Sequence, residues 1–152
     1  MRYEMTQGQD PAELRLSAGY LLARLGADSR GLWARMLARR GLTPHHFGVL
    51  MGLAKLGETH QRQLTTIIGV DPRNAVGVID ALTERGLVER DVDPADRRRH
   101  LIRLTAQGRL VLAELQRAGD AIEDDMLSGL DPGERRALHA LLLKLFDART
   151  QT

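Results

Sequence analysis

Three consecutive arginines, Arg97, Arg98 and Arg99, follow two aspartates in the run Asp93-Pro94-Ala95-Asp96-Arg97-Arg98-Arg99-His100. A guanidinium is always charged, offers only donors, and matches phosphate or carboxylate oxygens two at a time. The cluster therefore suits anion recognition and not proton transfer. A carboxylate beside an arginine orients its fork and limits the freedom of the loop, which assigns Asp93 and Asp96 to bracing. The competing reading is a solvated loop whose charges only pair with one another.

Other chemistry is weakly represented. His45-His46, His60, His100 and His139 show no H-x-x-x-H or carboxylate-histidine spacing. Adjacent histidines on a helix also point in different directions, so no metal site is expected. Ser17, Ser29 and Ser128 lie in no nucleophile motif, no glycine-rich phosphate loop follows a strand, and Glu123-Asp124-Asp125 reads as a solvated helical face. No enzyme and no cofactor are expected. The absence of cysteine excludes disulfides, thiolate zinc sites and thiol redox sensing. Lys and Arg number 22 against 20 Asp and Glu, so the net charge of +2 hardly favours an anionic partner, and the local clusters at Arg35-Arg40 and Arg97-Arg99 must carry that argument. With aromatics at 3%, stacking platforms for single-stranded nucleic acid are not expected. No apolar run approaches the roughly 18–20 residues of a membrane span, and Met1-Arg2-Tyr3-Glu4 opens no signal-peptide core. A cytoplasmic protein without a membrane partner is the expectation.

The elements that position the arginines are legible from their punctuation. Leu87-Val88-Glu89-Arg90 and Leu101-Ile102-Arg103-Leu104-Thr105 are rich in strand formers and flank the charged loop, which makes it the tip of a β-hairpin. Asp71 to Gly86 upstream has the signals of a short helix. Helix, strand, basic loop, strand and helix in that order describe a winged helix-turn-helix. Thr43-Pro44, Asp71-Pro72 and Asp131-Pro132 each set a capping oxygen before a first-turn proline, as does Asp10-Pro11 after a polar, mobile tail. Gly41-Leu42, Gly69-Val70, Gly86-Leu87 and Gly129-Leu130 read as helix stops, with glycine in the left-handed conformation.

Between these signals the apolar pattern predicts a long first helix carrying Leu14, Ala18, Leu21, Leu22, Leu25, Leu32 and Met36. A helix from Pro44 to Leu56 follows with Phe47, Leu50, Leu53 and Ala54 on one face, then a short helix near Gln61 to Ile68. A helix from Pro72 to Arg85 is expected to bury Ala75, Val76, Ile79 and Leu82. After the hairpin, Val111, Leu115, Ala118, Ile122 and Met126 form a narrow seam, and Leu138, Leu141, Leu142, Leu145 and Phe146 a wide one. The chain is expected to be mainly α with a small β-hairpin wing. It forms one domain, with a winged-helix lobe over 41–105 and a helical lobe from 11–40 and 106–149. Long terminal helices cannot all be buried on a lobe of about 60 residues, so pairing with a second copy as a homodimer is the physical remedy, and a monomeric bundle the alternative.

The chain resembles the MarR-type winged-helix transcriptional regulators from about Leu14 to Phe146. The resemblance rests on Gly86-Leu87-Val88-Glu89-Arg90, then Asp93-x-x-Asp96-Arg97-Arg98, then Leu104-Thr105-x-x-Gly108, with Gly41-Leu42-Thr43 ahead of Phe47 and Leu50. It implies a homodimer on a near-palindromic operator in double-stranded DNA, repression by covering a promoter, and release by a small, often aromatic anion. It further implies Arg98 in a minor groove with Arg97 and Arg99 at phosphates, and Arg73 and Asn74 at base edges in the major groove. Gln61, Arg62, Gln63 and Thr65 are candidate phosphate donors, and Arg90 a phosphate contact or a brace. The sequence departs from the family at Gly77 and Ala81, where a polar or basic side chain is common; Gly77 would let the backbone approach DNA closely. An effector crevice would involve Arg30, Trp33, Arg35 and Phe47, which otherwise are core and surface. A winged-helix protein-interaction module without DNA binding, or a small-molecule binding protein, are the rival functions.

Overall fold

The computed structural model describes residues 17–69 and 71–150. The expected tail, the Asp10-Pro11 start, Leu14 and Val70 lie outside these residues. In chain order the elements are α1 (Ala18–Ala38), α2 (Pro44–Leu56), β1 (Thr59–His60), α3 (Gln61–Ile68), α4 (Pro72–Glu84), β2 (Val88–Val92), β3 (His100–Leu104), α5 (Ala106–Met126) and α6 (Pro132–Thr150). The chain divides into two compact units, the first ending at Leu112 and the second starting at Ala113, within α5.

The core of the first unit is apolar and draws on its helices and on β2 and β3. Met36 and Leu37 of α1, Val49, Leu50 and Leu53 of α2, Leu64 of α3, Ala75, Ile79 and Leu82 of α4, and Val88, Ile102 and Leu104 of the sheet are all buried. Burial of side chains of this size stabilises by roughly 1.5–3 kcal/mol each relative to exposure, which is what holds short helices that could not persist alone. Two expected core positions differ. Ala54 is exposed while Val49 is buried, and Val76 is exposed, because the inward stripe of α4 runs through Ala75, Ile79 and Leu82 and turns its neighbour outward.

The hairpin pairs β2 with β3 in the register Val88↔Leu104, Arg90↔Ile102 and Val92↔His100. A third strand that the sequence did not signal, β1, joins the other edge of β3 through Thr59↔Ile102 and His60↔Leu101, giving the antiparallel order β1-β3-β2. Two residues are too few to show a strand period, so only the pairing reveals it.

Local chemistry explains the helix ends. Thr43 Oγ1 accepts from the His46 N–H at 3.3 Å while His46 Nδ1 accepts from the Thr43 N–H at 3.0 Å, a reciprocal cap. Asp71 Oδ1 accepts from the Arg73 N–H at 2.8 Å. Gly41 and Gly86 take positive φ, and Leu42 and Leu87 donate back to Leu37 and Leu82 at 3.0 Å. Arg85 then clamps the α1–α2 turn, donating to the Gly41 carbonyl at 2.7 Å and the Arg40 carbonyl at 2.8 Å.

The start of α5 accounts for Leu104-Thr105-x-x-Gly108. Thr105 Oγ1 donates to the Gly86 carbonyl at 2.6 Å and accepts from the Gly108 N–H at 2.9 Å, and the Thr105 N–H donates to the Leu87 carbonyl at 3.2 Å. A Cβ on Gly108 would fall on that same Leu87 carbonyl oxygen. Only glycine admits this approach.

In the second unit Asp131 and Glu134 form the reciprocal cap of α6, both bonds at 2.9 Å, and Arg135 ties α6 to Asp124 of α5 at 2.8 Å. Gly129 does not adopt positive φ as expected; α5 closes instead through 2.9–3.2 Å turn bonds from Leu127, Ser128 and Leu130. No described residue of α6 is buried, and Leu141, Leu142, Leu145 and Phe146 are exposed. In the first unit, Leu21, Leu22 and Leu25 of α1 are likewise exposed.

Candidate nucleic-acid interface

The wing tip is a folded turn. Asp93 N–H donates to the Arg99 carbonyl at 2.9 Å, Asp96 N–H to the Asp93 carbonyl at 3.2 Å, and Arg99 N–H to the Asp96 carbonyl at 2.9 Å. Each aspartate caps this turn with its side chain: Asp93 Oδ1 accepts from the Ala95 N–H at 2.8 Å and Asp96 Oδ1 from the Arg98 N–H at 3.1 Å. Bracing was expected to act through the arginine forks. Asp96 does meet Arg99 Nε, at a loose 3.5 Å, whereas Asp93 pairs with His60 Nε2 at 2.8 Å. An ionised carboxylate can only accept, so the imidazole donates. That hydrogen bond, then the one from Ala95, hold the Asp93 carboxyl below its ordinary range.

His60 is the residue that sequence reasoning missed. It ends β1, precedes the first residue of α3 and reaches the root of the wing, so it couples the two. Its only sequence signal, a lone histidine after Thr59, looks like any solvent-facing polar side chain. Because of this coupling, Arg98, Arg99 and His100 of the wing share one cleft of about 530 Å³ with His60, Gln61, Arg62 and Gln63. Arg97, Arg98 and Arg99 are exposed, as are Arg62 and Gln63. Thr65 is different: it is 7% exposed and its hydroxyl donates to the Gln61 carbonyl at 2.7 Å, so its donor is already used inside α3.

On α4, Arg73, Asn74 and Gly77 are all exposed, and a Cβ on Gly77 would meet nothing within 4 Å. Arg90 is half-buried and forms an ion pair with Asp80 at 2.7 Å, which ties β2 to α4. Arg103, unremarked in the sequence, is held by Glu89 and Asp91 at 2.7 Å and by Glu58 at 3.4 Å, contacts that push its pKa up. Within the hairpin, then, the strand arginines Arg90 and Arg103 are held in ion pairs, whereas Arg97 and Arg98 at the tip form none among the described residues.

Trp33 and Phe47 meet with ring centroids 5.1 Å apart at 43°, joining α1 to α2. Arg30 and Arg35 are exposed and lie along their own helix, with Nη1 atoms 3.5 and 3.3 Å from where Gly26 and Gly31 would carry a Cβ. Among the described residues, no hydrogen bond, ion pair or ring contact links the aromatic pair to either arginine. Among the described residues, no three His, Asp or Glu side chains gather in a group that could hold a metal ion, and no helix is long and apolar enough to cross a membrane.

A family profile described as MarR family matches residues 40–99, the span from the α1–α2 turn to the wing tip. A Thauera aromatica protein, provisionally named as the transcriptional regulatory protein for hcr operon, is 33% identical over 150 residues, covering 98% of this chain and 88% of its own length. The chain belongs to the MarR family. As a MarR-family protein it is a transcriptional regulator and not an enzyme. Two solved structures share its fold over nearly the full length. Bordetella bronchiseptica BpsR, whose structure concerns regulation of its DNA binding by 6-hydroxynicotinic acid, is 31% identical with a TM-score of 0.66, covering 84% of this chain and 96% of its own. Streptomyces coelicolor PcaV in complex with its natural ligand is 28% identical with a TM-score of 0.67, covering 95% of this chain and 99% of its own. The MarR residues that carried the sequence resemblance are, in this chain, largely the ones that build the wing: Gly86, Thr105 and Gly108 at its base and Asp93 and Asp96 at its tip.

Proposed function

We propose that this protein is a homodimeric repressor that binds double-stranded DNA at a near-palindromic operator and responds to a small aromatic or anionic effector. The observation that carries the reading is the shared cleft that sets Arg98 and Arg99 of the wing opposite Gln61, Arg62 and Gln63 at the start of α3. Donors on two elements that face one groove-sized gap, beside an α4 whose first turn exposes Arg73 and Asn74, suit a duplex whose backbone is gripped on both sides of a major groove. In this reading Arg98 enters a minor groove, Arg97 and Arg99 bind phosphates, Gln61, Arg62 and Gln63 position α3, and Asp93 and Asp96 hold the wing tip in shape. Arg90 serves as a brace through Asp80.

The exposed apolar faces of α1 and of α6 support pairing with a second copy, since contiguous apolar surface of this kind is rarely left to solvent. The ligands named for the BpsR and PcaV structures support an effector. For this chain Trp33 and Phe47, with Arg30 and Arg35, remain the proposed contacts.

Duplex binding at a series of salt concentrations tests the reading. Log K should fall linearly with log salt, with a slope of about −0.9 for each phosphate neutralised. Failure to bind any duplex at low salt would reassign the lobe to protein interaction.

A further inference from the structure

Val76 is 45% exposed on α4, whereas Ile79 and Leu82 of the same helix are fully buried. It stands three residues after Arg73 and four before Asp80, so these three side chains share one stripe of the helix surface. The far end of that stripe is closed by the Asp80–Arg90 ion pair. Its open part is Arg73, Asn74, Val76 and Gly77. A single exposed apolar residue is ordinary on a protein surface. Gly77 beside it supplies the second observation: a Cβ there would meet nothing, so packing does not demand glycine, and its φ is not in the left-handed region. A mid-helix glycine costs about 1 kcal/mol relative to alanine and gives the fold nothing in return. What it removes is bulk next to Val76, on the surface that would meet a groove.

We infer that Val76 reads the C5-methyl group of a thymine in the major groove, in a half-site where Arg73 and Asn74 face neighbouring base edges. This rests on the DNA-binding reading above. In the major groove only thymine presents a methyl group among the four bases, and an apolar side chain recognises it by excluding water from both. Arginine matches the two acceptors of guanine and asparagine the acceptor and donor of adenine, so the three side chains together select a mixed and not a purely polar site. Gly77 allows α4 to sit deep enough for a short valine to reach.

The test uses the full chain and a pool of duplexes about 30 base pairs long with randomised centres, enough for two half-sites one turn apart. The enriched duplex is then resynthesised with deoxyuridine replacing each thymine in turn, which deletes one methyl and leaves base pairing intact. At one thymine per half-site, uracil should weaken wild-type binding about fourfold, the worth of one buried methyl group. The Val76→Ala protein should bind thymine and uracil duplexes equally. Enrichment without any uracil-sensitive position, or sensitivity that persists in Val76→Ala, overturns the role of Val76 while leaving DNA binding intact. No enrichment at all overturns the DNA-binding reading, and this inference with it. The uracil arm alters only the DNA, so it does not depend on the folding of a variant.

Discussion

His60 Nε2 and Asp93 Oδ2 meet at 2.8 Å across 33 positions of sequence, and this contact joins the start of α3 to the root of the wing. Asp93 spends its other oxygen on the Ala95 N–H, so one carboxylate both shapes the tip and ties it to the helix that faces it. The arginines borrow their placement from this pair.

The same contact predicts an acid sensitivity. The His60 hydrogen bond, then that from Ala95, lower the Asp93 pKa from 3.8. A carboxylate with a depressed folded pKa adds stability above its unfolded value, and that stability disappears as pH falls through the folded one. Urea unfolding should show wild type more stable than Asp93→Asn at neutral pH, with the gap closing below about pH 4. A gap of constant size down to about pH 2 would show that ionisation of Asp93 contributes nothing.

His46 predicts a second pH effect in a different window. Burial, then the positive charge of Arg85, then His45, lower its pKa from 6.5, and its Nδ1 must stay unprotonated to accept from the Thr43 N–H. The neutral form is favoured in the fold, so its contribution is present above the unfolded value of 6.5 and is lost as pH falls below it. Glutamine at this position keeps an acceptor that does not titrate. His46→Gln should therefore match wild type under mildly alkaline conditions and become the more thermostable of the two at about pH 5.5. Equal melting shifts across that range would remove His46 from the pH response.

Two glycine-to-alanine changes should have opposite signs. Gly108→Ala places a Cβ on the Leu87 carbonyl and should destabilise by about 3 kcal/mol, at the upper end of overpacking costs, because backbone and not a flexible side chain must move. Gly77→Ala meets open space and should stabilise by about 0.4–1 kcal/mol. Chemical denaturation of both proteins measures this, and the same Gly77→Ala protein should bind duplex more weakly if α4 approaches closely. Tighter or unchanged binding would show that Gly77 is not an approach device.

Arginines of equal charge should differ in what they do to DNA binding. Arg98 is exposed and forms no ion pair among the described residues, and Arg98→Ala should cost about 1–3 kcal/mol and reduce the salt slope by about one. Arg103 is committed to Glu58, Glu89 and Asp91, so Arg103→Gln should leave the slope alone. Fluorescence anisotropy on a labelled duplex at several salt concentrations reads both. Equal slopes for the two variants would mean that the wing is not the phosphate-binding element.

Punctuation was the part of the sequence that translated most directly into structure. Thr43-Pro44, Asp71-Pro72 and Asp131 start helices, and Gly41 and Gly86 stop them, because caps and positive φ are satisfied within a few residues and need no distant partner. The stop expected at Gly129 failed because turn bonds from Leu127, Ser128 and Leu130 closed α5 without left-handed backbone. The arginine-tipped hairpin was legible for the same local reason. Its brace was not: nothing in the spacing of His60 and Asp93 says that β1 will pair with β3 and bring them together.

By itself the sequence determined the order of the helices and of the two hairpin strands, the position of the basic turn and the family, since these follow from capping chemistry, strand propensity and short motifs that act over a few residues. Only the tertiary structure decided which side chains remain available. Val76 turned outward because the core took Ala75, Ile79 and Leu82; Arg90 and Arg103 were neutralised by carboxylates from other elements; and Arg98 was left exposed at the tip. Helical and strand periods specify a face only to within a residue, and charge pairing depends on distances across the sheet that exist only once its strands have closed.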